Sequence, residues 1–178
     1  TILPFPMCPP IEAIGTMVLD IGGGTTDIAV IALKGVVASK SSHVAGDKFN
    51  ENIIDFVRSE FKLGIGERTA EDVKIAIGAV MPLHEPLSRT VRGRDFATGL
   101  PREILLTDVH IREAIAPSLD ALMDAMKEVI EATPPELLSD VLQHGVTVFG
   151  GGALVRGLPQ ILAKMLGVPV RVAPDPLT

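Results

Sequence analysis

Tryptophan and tyrosine are absent from this 178-residue chain, and six phenylalanines are all it has of the large aromatic types. Grooves for single-stranded nucleic acid rely on stacked aromatics in a basic field. Here the net charge is −6, so nucleic acid is not expected as a partner. The basic cluster Arg89-Thr-Val-Arg92-Gly-Arg94 reads as a solvated hairpin. Cysteine is also scarce: Cys8 stands alone, which excludes an internal disulfide and fits a reducing compartment. The longest unbroken apolar run, Ile28 to Leu33, is far short of the roughly 20 residues that span a bilayer. No basic segment leads into an apolar one as in a signal peptide. A cytoplasmic globular protein is the expectation.

His43, His84, His110 and His144 share no metal-ligand spacing with one another or with Cys8, and no Ser/His/Asp or Cys/His arrangement is legible. What the chain does have is glycine, in two triplets. Asp20-Ile-Gly22-Gly23-Gly24-Thr25-Thr26-Asp27 follows the apolar run Thr16 to Leu19, and Gly150-Gly151-Gly152-Ala153 follows Val146 to Phe149. A strand ending in consecutive glycines exposes backbone N–H groups that no side chain obstructs, which suits a phosphate. Neither triplet has the lysine of a P-loop, and Asp27 stands where the dinucleotide fingerprint needs glycine. Asp20, ending an apolar strand ahead of a phosphate-sized turn, is placed to hold hydrated Mg²⁺. Glu71 and Lys74 lie three apart on one helix face. Spacing alone makes them a surface ion pair contributing about 0.2–0.5 kcal/mol.

The pattern along the chain predicts α/β architecture. Residues 1–15, with four prolines, read as a tail or linker. Strands follow at Met17–Ile21, Asp27–Leu33 and Val36–His43, with a turn at Lys34-Gly35. A helix capped by Asp47 carries Phe49, Ile53, Ile54, Val57 and Phe61, and Thr69 is placed to cap the next, which exits at Gly78. Two or three short strands are expected between Leu87 and Leu106, broken at Arg92-Gly93 and at Thr98 to Pro101. A long helix from about Asp108 to Ala132 should kink or break at Pro117. Thr133-Pro-Pro-Glu136 reads as a capping box that opens another helix. The strand Val146–Phe149, a helix over Leu158–Leu166 closed by Gly167, and a strand over Val168–Ala173 complete the order.

With both triplets placed, the chain resembles the actin/Hsp70/sugar-kinase superfamily, and within it the MreB-like bacterial actin homologues. Met17 to Asp27, Val44-Ala-Gly-Asp47, Ile65 to Glu71, Arg92-Gly-Arg-Asp95 with Thr98 to Pro101, Thr133 to Leu137 and Gly150 to Leu154 carry the likeness. Asp27 departs from the family's usual glutamate. The resemblance implies an actin-like, RNase H-like lobe made of residues 16–47 and 107–178, with a smaller α+β subdomain at 48–106 carrying filament contacts. It implies ATP or ADP as ligand. Asp20 would bind Mg²⁺ through water, Gly22, Gly23, Gly24 and Thr25 would form a phosphate loop, Glu71 and Lys74 would touch ribose, and Gly150, Gly151, Gly152 and Ala153 would line adenosine. It further implies filaments of self-associated subunits that guide cell shape and cell-wall synthesis with the wall-elongation machinery, membrane-associated in the intact family. A lobe of a sugar kinase or an Hsp70-type chaperone is the alternative. The chain is expected to be the carboxy-terminal half of such a protein. It would lack the first phosphate loop, the catalytic carboxylate and the membrane-inserting element, and so would be inactive as an ATPase alone.

Overall fold

The computed structural model describes residues 15–32 and 35–176. The proline-rich start, Cys8, Lys34 of the expected turn and the last two residues lie outside them. The chain opens with a meander, β1 (Thr16–Ile21), β2 (Thr26–Ala32) and β3 (Gly35–Ser42), followed by α1 (Gly46–Phe61), the short β4 (Leu63–Gly64) and α2 (Glu67–Ile77). A hairpin of β5 (Ser88–Asp95) and β6 (Pro101–Thr107) leads to α3 (Asp108–Glu131), α4 (Pro135–His144) and β7 (Val146–Phe149). A 3₁₀ turn (Gly151–Leu154), α5 (Leu158–Leu166) and β8 (Val170–Val172) complete the described chain. Five strands form one sheet in the order β3-β2-β1-β7-β8, and β4-β5-β6 form a second.

β1 is the pivot of the larger sheet. It pairs antiparallel with β2 and parallel with β7, Asp20 facing Asp27 on one side and Phe149 on the other. Met17, Leu19 and Ile21 alternate into the core with no exposure, as a strand's two-residue period requires. α3 contributes Ile111, Ile115, Leu122, Met126 and Val129 to the same core, with the helical spacing of a single face.

Four local expectations are corrected. Pro117 sits inside α3 without ending it. The expected break is absent, and the proline and Glu113, whose carbonyl loses its partner, are both exposed, which leaves that oxygen open to solvent. Gly93 does not break β5: a Cβ there would meet the Gly64 carbonyl at 2.4 Å and Leu63 Cγ at 2.8 Å, so the glycine serves the close approach of β4. Asp47 and Thr69 are not caps. The N-cap residues are Ala45 and Gly66, both extended, and the aspartate enters the first turn of α1. Thr133 likewise closes the helix behind it, its hydroxyl donating to the Val129 carbonyl at 2.7 Å. Pro134 takes the N-cap place of α4, with Pro135 at the first helical position.

Candidate functional site

Parallel pairing of β1 with β7 ends both strands side by side, so the two glycine segments leave the same edge of the sheet as neighbours. Clefts at the carboxyl ends of parallel strands are where open α/β sheets bind ligands. Here the cleft is about 600 Å³ and includes Gly22, Gly23, Glu71, Lys74, Gly151 and Gly152 in its lining. It thus joins residues expected at phosphate, ribose and adenosine, while Asp20, Gly24, Thr25 and Gly150 do not belong to its lining. Ala153 does not belong to its surface: it is 3 % exposed and packs into the core beneath.

The first glycine turn is pinned from both ends. Gly22 N–H donates to the Thr25 carbonyl at 2.9 Å, and the Thr26 hydroxyl, fully buried, donates to the Val44 carbonyl at 2.6 Å. The first amides of α1 are used here too, Gly46 N–H on the Gly22 carbonyl and Asp47 N–H on the Gly23 carbonyl. Those bonds orient the turn and remove that helix start as an anion site. Among the described residues, the N–H groups of Gly23, Gly24 and Thr25 donate to no protein acceptor, and all three residues are exposed. Successive unspent amides on a fixed turn form an anion-binding concavity.

The second segment presses on the first. Gly150 has φ +82°, and a Cβ on it would stand 2.2 Å from the Ile21 carbonyl oxygen and 2.7 Å from Asp20 Oδ1. Its own N–H donates to the Pro176 carbonyl at 2.6 Å, so this glycine supplies close packing, and its N–H is already spent. A Cβ on Gly152 would overlap Ile21 Cγ2 at 2.2 Å. The two loops are therefore in backbone contact, and only glycine permits it.

Asp20 lies at the end of β1 against Gly150, with Asp27 directly across the strand pair. Partial burial first, and then the Asp27 charge, push its carboxyl above the ordinary value of 3.8. The Asp47 carboxylate lies beside Gly23 and Gly24. No group of three His, Cys, Asp or Glu that could hold a metal is found among the described residues. A divalent cation would rest on these single carboxylates, with waters and ligand oxygens completing its shell, as Mg²⁺ commonly does. Without a cation the raised pKa means the ionised Asp20 opposes folding. That penalty is absent below pH 3.8 and grows as pH rises through the folded-state value. The variant D27N, which removes the facing charge, is expected to unfold at a slightly higher urea concentration than the parent at pH 7 and at the same concentration below pH 3.8. An advantage equal at both pH values would show that the facing charge is not its cause.

Glu71 and Lys74 do form the ion pair expected from their spacing, Nζ to Oε2 at 2.7 Å, but on the cleft wall. The ammonium also donates to the Gly46 carbonyl at 3.1 Å, and Asn50 Nδ2 donates to the same Glu71 Oε2 at 2.6 Å. Burial pushes the Glu71 carboxyl up, but the hydrogen bonds from Lys74 and Asn50 and the Lys74 charge outweigh it and hold the group low. Both bonds end on Oε2. Oε1 and the third ammonium hydrogen are left as an adjacent acceptor and donor, the pair that a hydroxyl matches.

The remaining lining includes Asp47, Phe49, Ile75, Leu154 and Val155, which the sequence reading did not assign to a site. Ile75 was legible in principle: it falls off the Ala70, Val73, Ile77 stripe of α2 and is 65 % exposed. Arg156 was missed as well. Its guanidinium donates to the Ile75 and Gly78 carbonyls at 3.2 and 3.4 Å, and its own carbonyl accepts from Val80 N–H. It ties the carboxyl end of α2 to the second glycine segment behind the cleft.

Comparison with known proteins places this geometry. The family model for MreB/Mbl proteins matches residues 8–178. The chain is 50% identical over 165 residues to the cell shape-determining protein Mbl of Bacillus subtilis, covering 92% of this chain and 49% of Mbl. It is 47% identical over 167 residues to the cell shape-determining protein MreB of Escherichia coli, with 94% and 48% covered. The chain thus spans about half the length of these relatives. Among solved structures, MreB5 of Spiroplasma citri bound to AMPPNP superposes with a TM-score of 0.91 at 39% identity, covering 93% of this chain and 50% of that one. A MamK double helical filament superposes at 0.70 with 26% identity, covering 90% and 50%. The α/β, actin-like fold expected from the sequence is the observed one, and the chain belongs to the MreB/Mbl family.

Proposed function

We propose that the cleft binds ATP or ADP with Mg²⁺ and that the chain serves a filament-forming, cell shape-determining protein. The carrying observation is the run of unspent N–H groups at Gly23, Gly24 and Thr25, on a turn whose Gly22 and Gly23 line the same cleft as Glu71 and Lys74. Phosphate oxygens accept from the glycine turn, and Asp20 and Asp47 would hold Mg²⁺ through water, which would offset the phosphate charge. The paired acceptor and donor at Glu71 and Lys74 take the ribose hydroxyls. Gly151, Gly152 and the exposed apolar side chains of Ile75 and Leu154 flank the base. MreB5 structures with AMPPNP and with ADP, and MamK in a filament, support the ligand class and the assembly.

In this reading residues 16–47 and 107–178 form the larger lobe and 48–106 the smaller, in keeping with the division of strands between the two sheets. Self-association into filaments, work beside the cell-wall elongation machinery and a cytoplasmic, membrane-associated location in the whole protein belong to the same proposal. No helix among the described residues is long and apolar enough to cross a membrane.

Isothermal calorimetry with Mg-ADP tests the ligand. Saturable heat that weakens on chelation of Mg²⁺ and is lost in a Gly23→Val variant of retained fold is expected. Absence of binding at millimolar nucleotide would overturn the reading.

A further inference from the structure

Asn50 is 3 % exposed, and among the described residues its Oδ1 is a buried acceptor with no donor. Its Nδ2 is committed to Glu71 Oε2. Turning the amide over does not help, because two acceptor oxygens would then face each other at about the present 2.6 Å separation. The chain thus buries an amide with half of its hydrogen-bonding capacity unspent, at a position on α1 flanked by the core residues Phe49 and Ile53. An apolar side chain of similar volume would serve the core better. What an apolar side chain lacks is the N–H on Glu71.

The geometry points to Asn50 as a positioning residue that sets sugar selectivity in the cleft, fixing the Glu71 carboxylate so that Oε1 faces the ligand hydroxyl. This rests on the nucleotide reading above. Lys74 alone does not assign the two oxygens: its ammonium is a point charge with rotatable donors and pairs equally well with either one. The planar amide, locked by burial, assigns Oε2 to the protein and leaves Oε1 for the ligand. A site that hydrogen-bonds a substrate hydroxyl penalises the analogue lacking it, because its own polar groups are then left unpaired.

The test measures Kd for Mg-ADP and for Mg-2′-deoxy-ADP on the chain, the N50L variant and the E71Q variant, with melting temperatures alongside. The parent should prefer ADP by about tenfold, the scale of one hydrogen bond to a charged group. N50L should keep or raise the melting temperature, since the orphan acceptor is gone. It should bind ADP several-fold more weakly and leave the deoxy compound nearly unchanged, so that the preference shrinks to about twofold. N50A, which cannot overpack, replaces N50L if leucine proves too large, and the same loss of preference is expected. A merely structural asparagine would change the melting temperature and both Kd values together, leaving their ratio intact, and that result overturns the proposal. If E71Q loses the preference while N50L keeps it, the ribose reading stands and the role of Asn50 falls. A parent indifferent to the 2′-hydroxyl removes the ribose reading and the proposal with it.

Discussion

Gly150→Ala is expected to destabilise the chain by about 3 kcal/mol or more and to abolish nucleotide binding. Two effects combine there. At φ +82° a non-glycine residue carries backbone strain of order 1–3 kcal/mol. The added methyl would also sit 2.2 Å from the Ile21 carbonyl oxygen and 2.5 Å from its carbon, so backbone must move. Ile21 ends β1, whose last residues carry Asp20 and lead into the first glycine turn, so the displacement falls where the proposed ligand would be held. Gly167 provides the control: it too is left-handed, at φ +69°, but nothing lies within 4 Å of its Cβ position. Gly167→Ala should cost about 1 kcal/mol. Urea unfolding of the two variants, with m-values unchanged, reads the difference as the packing of one glycine segment on the other. Equal losses at both positions would mean that the two loops are not in enforced contact.

Much of the fold was written in local pattern. The apolar run from Thr16 to Leu19 identified β1, and the stripe from Ile111 to Val129 identified α3, because burial dictates both patterns. Gly78 and Gly167 ended their helices as expected. Two of the errors share a cause: a residue with a strong local habit was used for a distant partner. Gly93 reads as a break but admits β4, and Asp47 reads as a cap but lies beside Gly23 and Gly24. Thr133 reads as a helix start but its hydroxyl belongs to the helix it ends. The partners of Gly93 and Asp47 are set by tertiary contact, which a propensity cannot contain.

The site was legible where its chemistry requires consecutive residues. Glycine triplets are visible because several adjacent amides must be exposed at once. The β1–β7 pairing that sets the triplets side by side joins Asp20 to Phe149, and no spacing rule in the chain announces it. Asn50, Ile75, Leu154 and Arg156 matter only through contacts between distant segments. Each alone looks ordinary, an asparagine in a helix, two surface aliphatics and an exposed arginine. The Glu71–Lys74 pair shows the limit of spacing: it predicted the ion pair but not the wall on which it stands.

That pair carries the second large effect. Lys74→Met keeps the buried stem and removes the charge. Affinity for Mg-ADP is expected to fall at least tenfold, and stability by about 1–2 kcal/mol, because Glu71 Oε2 and the Gly46 carbonyl both lose a donor. An exposed i,i+3 pair would contribute only about 0.2–0.5 kcal/mol. The larger figure follows from the Lys74 side chain being 10% exposed and from its second bond, which ties α2 to the start of α1. A double-mutant cycle with Glu71→Gln separates the roles. If the two residues act on ligand as a unit, the second substitution adds little loss of affinity to the first, in parallel with coupled stabilities. If the pair only braces α2, stability couples while the two affinity losses are small and additive. The ribose assignment would then fail, and the i,i+3 pair would return to the modest structural role its spacing first suggested.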